Sequence, residues 1–176
     1  MDAATLPPTW KTRSYGWDAA RPDLRELVSL PGIEIIQRMI DGRLPAPSIA
    51  ATIGMGPVEV EEGRVVFEGR PGDHLLNPLG GIHGGFAATL LDSVLGCAVH
   101  TTLAPGFTYG TVELKVNYVR GLSHKSGPVL AEGKVIHVGR SIATAEARLY
   151  GKEDGKLYAH GSTTCFIQPV GGPPEA

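Results

Sequence analysis

The apolar and polar positions divide the chain into three stretches of different period. Near the start, Leu24, Leu27 and Val28 fall at i, i+3 and i+4, and Ile36, Met39 and Ile40 repeat that spacing, so each set predicts a short helix. Pro31 and Gly32 separate the two, and Pro45 and Pro47 close the segment. The pattern then turns strand-like: "IAATIGMGPVEV", a turn at Glu62-Gly63 and "RVVFEGR" predict a hairpin. Beyond a Pro- and Gly-rich loop lies "GGIHGGFAATLLDSVLGCAVH", apolar at almost every position, which predicts one buried helix from about His83 to Val99. Strand spacing returns four times after it. In "TVELKVNYV", Val112, Leu114, Val116 and Tyr118 alternate with Glu113, Lys115 and Asn117, which predicts that the first set faces the core. "PVLAEGKVIHV" turns at Gly139-Arg140 into "SIATAEARLYG", whose Ala143, Ala145, Ala147 and Leu149 share a face. Asp154-Gly155 marks the turn into "KLYAHGSTTCFIQ".

This order implies an α+β fold, an antiparallel sheet wrapped around one long central helix, with a helical N-terminal lead-in. Residues 1–44 are expected to form an extension with two short helices, 45–169 one domain, and 170–176 a disordered tail. The first ~20 residues, with Pro7, Pro8, Trp10 and Trp17, read as irregular. The lead-in is expected to pack on the main domain; a lid over a pocket is the other reading.

Composition narrows the function classes. The 176 residues can bury one substantial core, and a net charge of −2 gives no basic sheath for nucleic acid. No apolar run reaches the ~18 residues of a membrane span, and no leader resembles a signal peptide, so a cytoplasmic location is expected. Cys97 and Cys165 lack CxxC spacing and read as small buried residues. His74, His100, His124, His137 and His160 show no metal-ligand spacing, and no metal is expected.

One residue breaks the apolar stretch. From His74 through Val112, Asp92 is the only Asp, Glu, Lys or Arg. Its helical neighbours Gly85, Ala88, Thr89, Gly96 and Val99 include no cation. A carboxylate so placed is either tied down by hydrogen bonds, from Thr89, Ser93 or a distant group, or is a functional acid at a cleft. Upstream, "GGIHGG" brings backbone N–H groups and the positive end of the helix dipole to a turn that a ligand can approach closely, the elements of an oxyanion hole. His83 and Asp92 are nine residues apart, roughly 13 Å along a helix axis. Both cannot touch one carbonyl carbon from a single helix. If both are catalytic, two antiparallel copies related by a two-fold axis must build each site.

The spacing N-x2-G-x2-H-G-G-x6-D, met by Asn77, Gly80, His83, Gly84, Gly85 and Asp92, resembles that of the hotdog-fold acyl-CoA thioesterases, in their PaaI-like, phenylacetate-pathway branch. The resemblance runs over residues 48–168. It implies that Asp92 is general base or nucleophile, that the Gly84 N–H polarises the thioester carbonyl, and that Asn77 orients the carbonyl or the attacking water. His83 would support the loop near the sulfur, Gly85 would bind substrate, and Thr111 would help hold the water. It further implies a homodimer with shared sites, with a dimer of dimers as an alternative. Thr111 is out of step here, falling on the polar side of its strand. Arg140 and Ser141, at the turn after "IHVG", and Arg120 are candidate contacts for the phosphates of coenzyme A. Coenzyme A enters as part of substrate and product, and no cofactor is expected. An acyl pocket lined by Phe86, Leu90 or Tyr109 would suit an aryl or a medium-chain group. The expected activity is hydrolysis of an acyl-CoA. The rivals are a non-catalytic acyl-CoA sensor, for which a buried acid is superfluous, and a hotdog hydratase, whose D-x4-H and H-x4-P-G motifs are not expected in this chain.

Overall fold

A computed structural model of the chain describes residues 9–20 and 22–170. The lead-in forms α1 (Leu24–Val28) and α2 (Gly32–Ile40), as the 3.6-residue period predicts. Asp23 caps α1 by accepting a hydrogen bond from the Arg25 N–H at 2.8 Å. In α2, Ile35 and Ile36 are buried, and the helix packs on the first strand.

The strand expected from Ile49 does not start there. Residues Ser48–Ile53 form a third helix, α3, and β1 covers only Met55–Glu61. Pro47 stands at the N-terminus of α3 in extended backbone, and Gly54 ends it at φ 80°, a left-handed cap that a glycine adopts without strain. These two punctuation residues outweigh the strand preference of Ile49, Thr52 and Ile53. β2 (Arg64–Gly69) completes the hairpin.

The long apolar stretch is α4 (Gly84–His100), followed by β3 (Phe107–Tyr118), β4 (Val129–Val138), β5 (Ile142–Gly151) and β6 (Leu157–Pro169). The six strands make one antiparallel sheet in the order β1-β2-β4-β5-β6-β3, and α4 lies across its inner face. Leu90, Leu91, Val94, Leu95 and Ala98 on the helix are fully buried, as are Ala143, Ala145 and Leu149 on β5. Burying a Leu or Val side chain is worth roughly 1.5–3 kcal/mol, so this layer is the main source of stability. The approach is close: a Cβ at Gly133 would lie 2.7 Å from the Val94 carbonyl oxygen. One face of α4 stays half-open, through Gly85, Ala88, Thr89, Asp92 and Ser93.

β3 is an edge strand, and its alternation is broken. Thr111 pairs with Cys165 and Glu113 with Thr164, leaving Val112 as an extra, bulged residue that is 59% exposed. Val112 therefore does not share a face with Leu114 and Val116. The bulge shifts the parity by one, so Tyr109 and Thr111 before it lie on the same side as Leu114 and Val116 after it. That places Thr111 toward α4, contrary to the unbroken pattern.

Residues 9–20 contain no helix or strand. They run along α3 and the loop before α4: Lys11 pairs with Asp73, and Arg13 donates to the carbonyls of Ala51 and Thr52 at 2.9 and 2.6 Å. Most of the expected C-terminal tail lies outside the described residues. Among the described residues, no helix is long and apolar enough to cross a membrane.

Candidate active site

The loop ahead of α4 is built by local hydrogen bonds. Asn77 forms an Asx turn: its Oδ1 accepts from the N–H groups of Leu79 at 2.9 Å and Gly81 at 3.2 Å. Its carbonyl oxygen is thus spent on the turn, and its amide NH2 has no partner among the described residues. The His83 N–H donates to the Leu75 carbonyl at 2.7 Å, and the Ile82 N–H to the Leu122 carbonyl at 2.9 Å, which seats the turn against the loop after β3.

His83 is the N-cap of α4. Its Nδ1 accepts from the Gly85 N–H at 2.9 Å, and its carbonyl accepts from the Phe86 N–H at 3.0 Å. The imidazole therefore acts as a cap on the first turn of α4. Capping leaves one first-turn donor over. The Gly84 N–H finds no partner among the described residues, at the end of the helix where the dipole is positive.

Asp92 sits two turns further along, half-buried. Thr111 Oγ1 donates to Asp92 Oδ1 at 3.1 Å across the space between helix and edge strand. Thr89 bonds the Gly85 carbonyl at 2.8 Å instead, so the carboxylate is not tied down within its own helix. Oδ2 has no hydrogen-bond partner, and no cation pairs with Asp92 among the described residues. Behind the acid lie Cys97, Tyr109 and Cys165. Burial, offset in part by a hydrogen bond from Tyr109, pushes the Cys97 thiol up to about 12. Burial first, then the neighbouring Asp92 charge, raises Cys165 as well, and both cysteines stay neutral thiols near pH 7, poor nucleophiles.

Beside the helix start is a cavity of about 330 Å³. Its floor is apolar and buried, made by Ile82, Ala87, Leu122 and Ala159, with Gly84 and Tyr118 at its side. Arg120 also lines it. The expected pocket residues Phe86 and Leu90 are instead core, and Tyr109 lies over Gly96, where a Cβ would meet its ring at 2.6 Å. Arg140 and Ser141 are exposed at the β4–β5 turn. Ala143, just beyond them, is two strands from Thr111 in the sheet, about 10 Å at ~4.8 Å per strand. They are not part of the Asp92–Thr111 pair. Gly84 and Asp92 are eight residues apart on one straight helix, about 12 Å, so a single chain does not bring donor and acid together.

One of the two hydratase motifs not expected above is present: His100 to Gly106 spells H-x4-P-G, which corrects that expectation. His100 closes the far end of α4, about 12 Å beyond Asp92, with its ring 5.4 Å from that of Tyr109, and burial lowers its pKa. Among the described residues no acid pairs with it. Among the described residues no cluster of ligands could hold a metal ion.

A sheet curled around one helix, with a free N–H at the helix start and an acid two turns on, defines a hotdog protein with the elements of acyl-transfer chemistry. The chain belongs to the thioesterase superfamily, whose model matches residues 79–158. Mouse acyl-coenzyme A thioesterase 13 is 31% identical over 57% of this chain and 71% of its own length. A Caenorhabditis elegans protein classed as an esterase is 37% identical over 64% of this chain. A crystal structure of a phenylacetic acid degradation-related protein from Ralstonia eutropha superposes with a TM-score of 0.67 at 28% identity, covering 74% of this chain and 98% of that one. The chain spans 66%, 44% and 64% of the lengths of the first curated relatives it matches.

Proposed function

We propose that the chain hydrolyses an acyl-CoA thioester to the free acid and coenzyme A, at sites shared by two copies of itself. The observation that carries the reading is the pairing of a free donor, the Gly84 N–H, with a carboxylate that only a hydroxyl holds. In this reading the Gly84 N–H and the Asn77 amide face the carbonyl oxygen, where negative charge develops. Asp92 of the other copy, positioned by Thr111, acts as base toward water or attacks directly. The edge strand β3 supports the pairing of two copies: it is 12 residues long, its outer edge is unpaired among the described residues, and its Val112 stands 59% exposed. The apolar cavity beside Gly84 suits an aryl or medium-chain acyl group, and in this reading Arg140 and Ser141, exposed at the β4–β5 turn, would meet a phosphate of coenzyme A.

The test is thiol release from short, medium, long and aryl acyl-CoAs, with wild type and Asp92→Asn side by side. Asp92→Asn should lower kcat at least ~100-fold on the preferred class while the thermal transition is kept. Unchanged turnover in the variant would remove Asp92 from the mechanism. Binding of acyl-CoA without thiol release would make the protein a sensor.

A further inference from the structure

Tyr118 is the last residue of the edge strand, 56% exposed, on the parity that the Val112 bulge sets toward the helix. Its hydroxyl donates to the Gly84 carbonyl at 3.2 Å. Its ring lies over the same residue: a Cβ at position 84 would come within 3.2–3.3 Å of the ring carbons Cζ and Cε1 and of the hydroxyl. The same side chain forms one wall of the 330 Å³ cavity. One tyrosine thus touches both the glycine whose N–H is free and the space beside it.

We infer that Tyr118 is a positioning residue for the oxyanion turn and at the same time a wall of the acyl pocket, an inference that rests on the hydrolase reading above. The physical basis is simple. A glycine at the first position of a helix has the freest backbone of any residue, and its N–H points only as well as its neighbours fix it. His83 holds the Gly84–Gly85 peptide at its N–H end only, through Nδ1, and leaves the carbonyl end to its helical bond. The Tyr118 hydroxyl adds a second hydrogen bond to that carbonyl, and the ring blocks movement of Gly84 toward the cavity. The edge strand thereby holds the donor in place for the moment when charge develops on the carbonyl oxygen. The hydroxyl and the ring should leave different kinetic signatures. The hydroxyl acts on the turn, whatever the acyl group. The ring acts on the turn and also on those acyl groups long enough to reach the cavity wall.

The experiment compares wild type, Tyr118→Phe and Tyr118→Ala on an acetyl, an octanoyl and a phenylacetyl thioester of coenzyme A. Tyr118→Phe should lower kcat about 5-fold on all three, with KM within twofold and an unshifted thermal transition. Tyr118→Ala should lower kcat further and raise KM for the octanoyl and phenylacetyl esters alone. A second readout needs no turnover. Gly84→Ala should shift the melting temperature less favourably in the wild-type background than in the Tyr118→Ala background, because the ring is what the new methyl meets. Wild-type turnover matched by both variants overturns the positioning role and leaves the hydrolase reading standing. An equal shift by Gly84→Ala in both backgrounds overturns the contact itself. No turnover by the wild type on any thioester overturns the hydrolase reading and the positioning role with it.

Discussion

Asp92 was legible because charge is scarce around it: one acid in a run from His74 to Val112 is a signal that needs no structure. The roles of its companions were legible in unequal measure. Asn77 and His83 could each be read as loop residues or as site residues, and their hydrogen bonds make them loop builders with something left over. Asn77 uses its carbonyl oxygen on the turn and keeps its NH2, while His83 uses Nδ1 as a cap. Such a cap is worth about 1 kcal/mol in helices generally, and here it also decides which backbone donor remains free. The identity of that donor was not legible from glycines alone. It depends on which N–H groups the histidine consumes, a matter of rotamer and distance.

At the scale of elements, periodicity located nearly every helix and strand and failed in two places, for two reasons. The segment 48–53 carries strand-favouring Ile and Thr, yet the chain around it has the start and stop signals of a helix in Pro47 and Gly54. The local punctuation prevails because the segment is only six residues long, too short to gain much from a ladder. In β3 the alternation is regular on paper and interrupted in fact. A bulge adds a residue without changing composition, so nothing in "TVELKVNYV" announces it. Its effect is on the site, since it sets Thr111 toward Asp92. Deleting Val112 leaves Thr111 opposite Cys165 and Glu113 opposite Thr164 in regular pairing, so Thr111 should keep the inner face. The expected result is a folded protein, judged by circular dichroism and its melting transition, with turnover well above that of a Thr111→Val variant. Turnover as low as in Thr111→Val would show that the extra residue itself, and not the register alone, positions the hydroxyl.

For the molecule as a whole, the length of α4 decides the architecture of the site. Gly84 and Asp92 cannot serve one carbonyl from one chain, and the open edge of β3 offers a second chain a place to pair. This leads to a test that neither residue alone could supply. Asn77→Asp keeps the acceptor that the turn needs and removes the NH2 donor, whereas Asp92→Asn removes the acid. Each variant alone should be nearly inactive. Dissociated together and reassociated at random, half the dimers are mixed, and each mixed dimer has one intact site. The mixture should therefore recover about a quarter of the wild-type specific activity under two-fold sharing. Activity no greater than the sum of the separate variants would mean that each site is built by a single copy.

That no cation pairs with Asp92 among the described residues also bears on how a reaction cycle ends. A thioester is uncharged at its reacting carbon, so it can approach an ionised carboxylate without opposition. Hydrolysis converts that carbon into a carboxylate, and two like charges ~5 Å apart at an effective dielectric constant of ~20 repel by about 3 kcal/mol. With no arginine or lysine paired to Asp92 among the described residues, and Arg120 on the cavity side of Gly84, the acid is pushed away from Asp92 as soon as it forms. Inhibition by the free acid should accordingly be weak for the wild type and stronger for Asp92→Asn, measured as acid binding by calorimetry. The feature that makes Asp92 costly to keep in the folded chain would then clear the site for the next substrate.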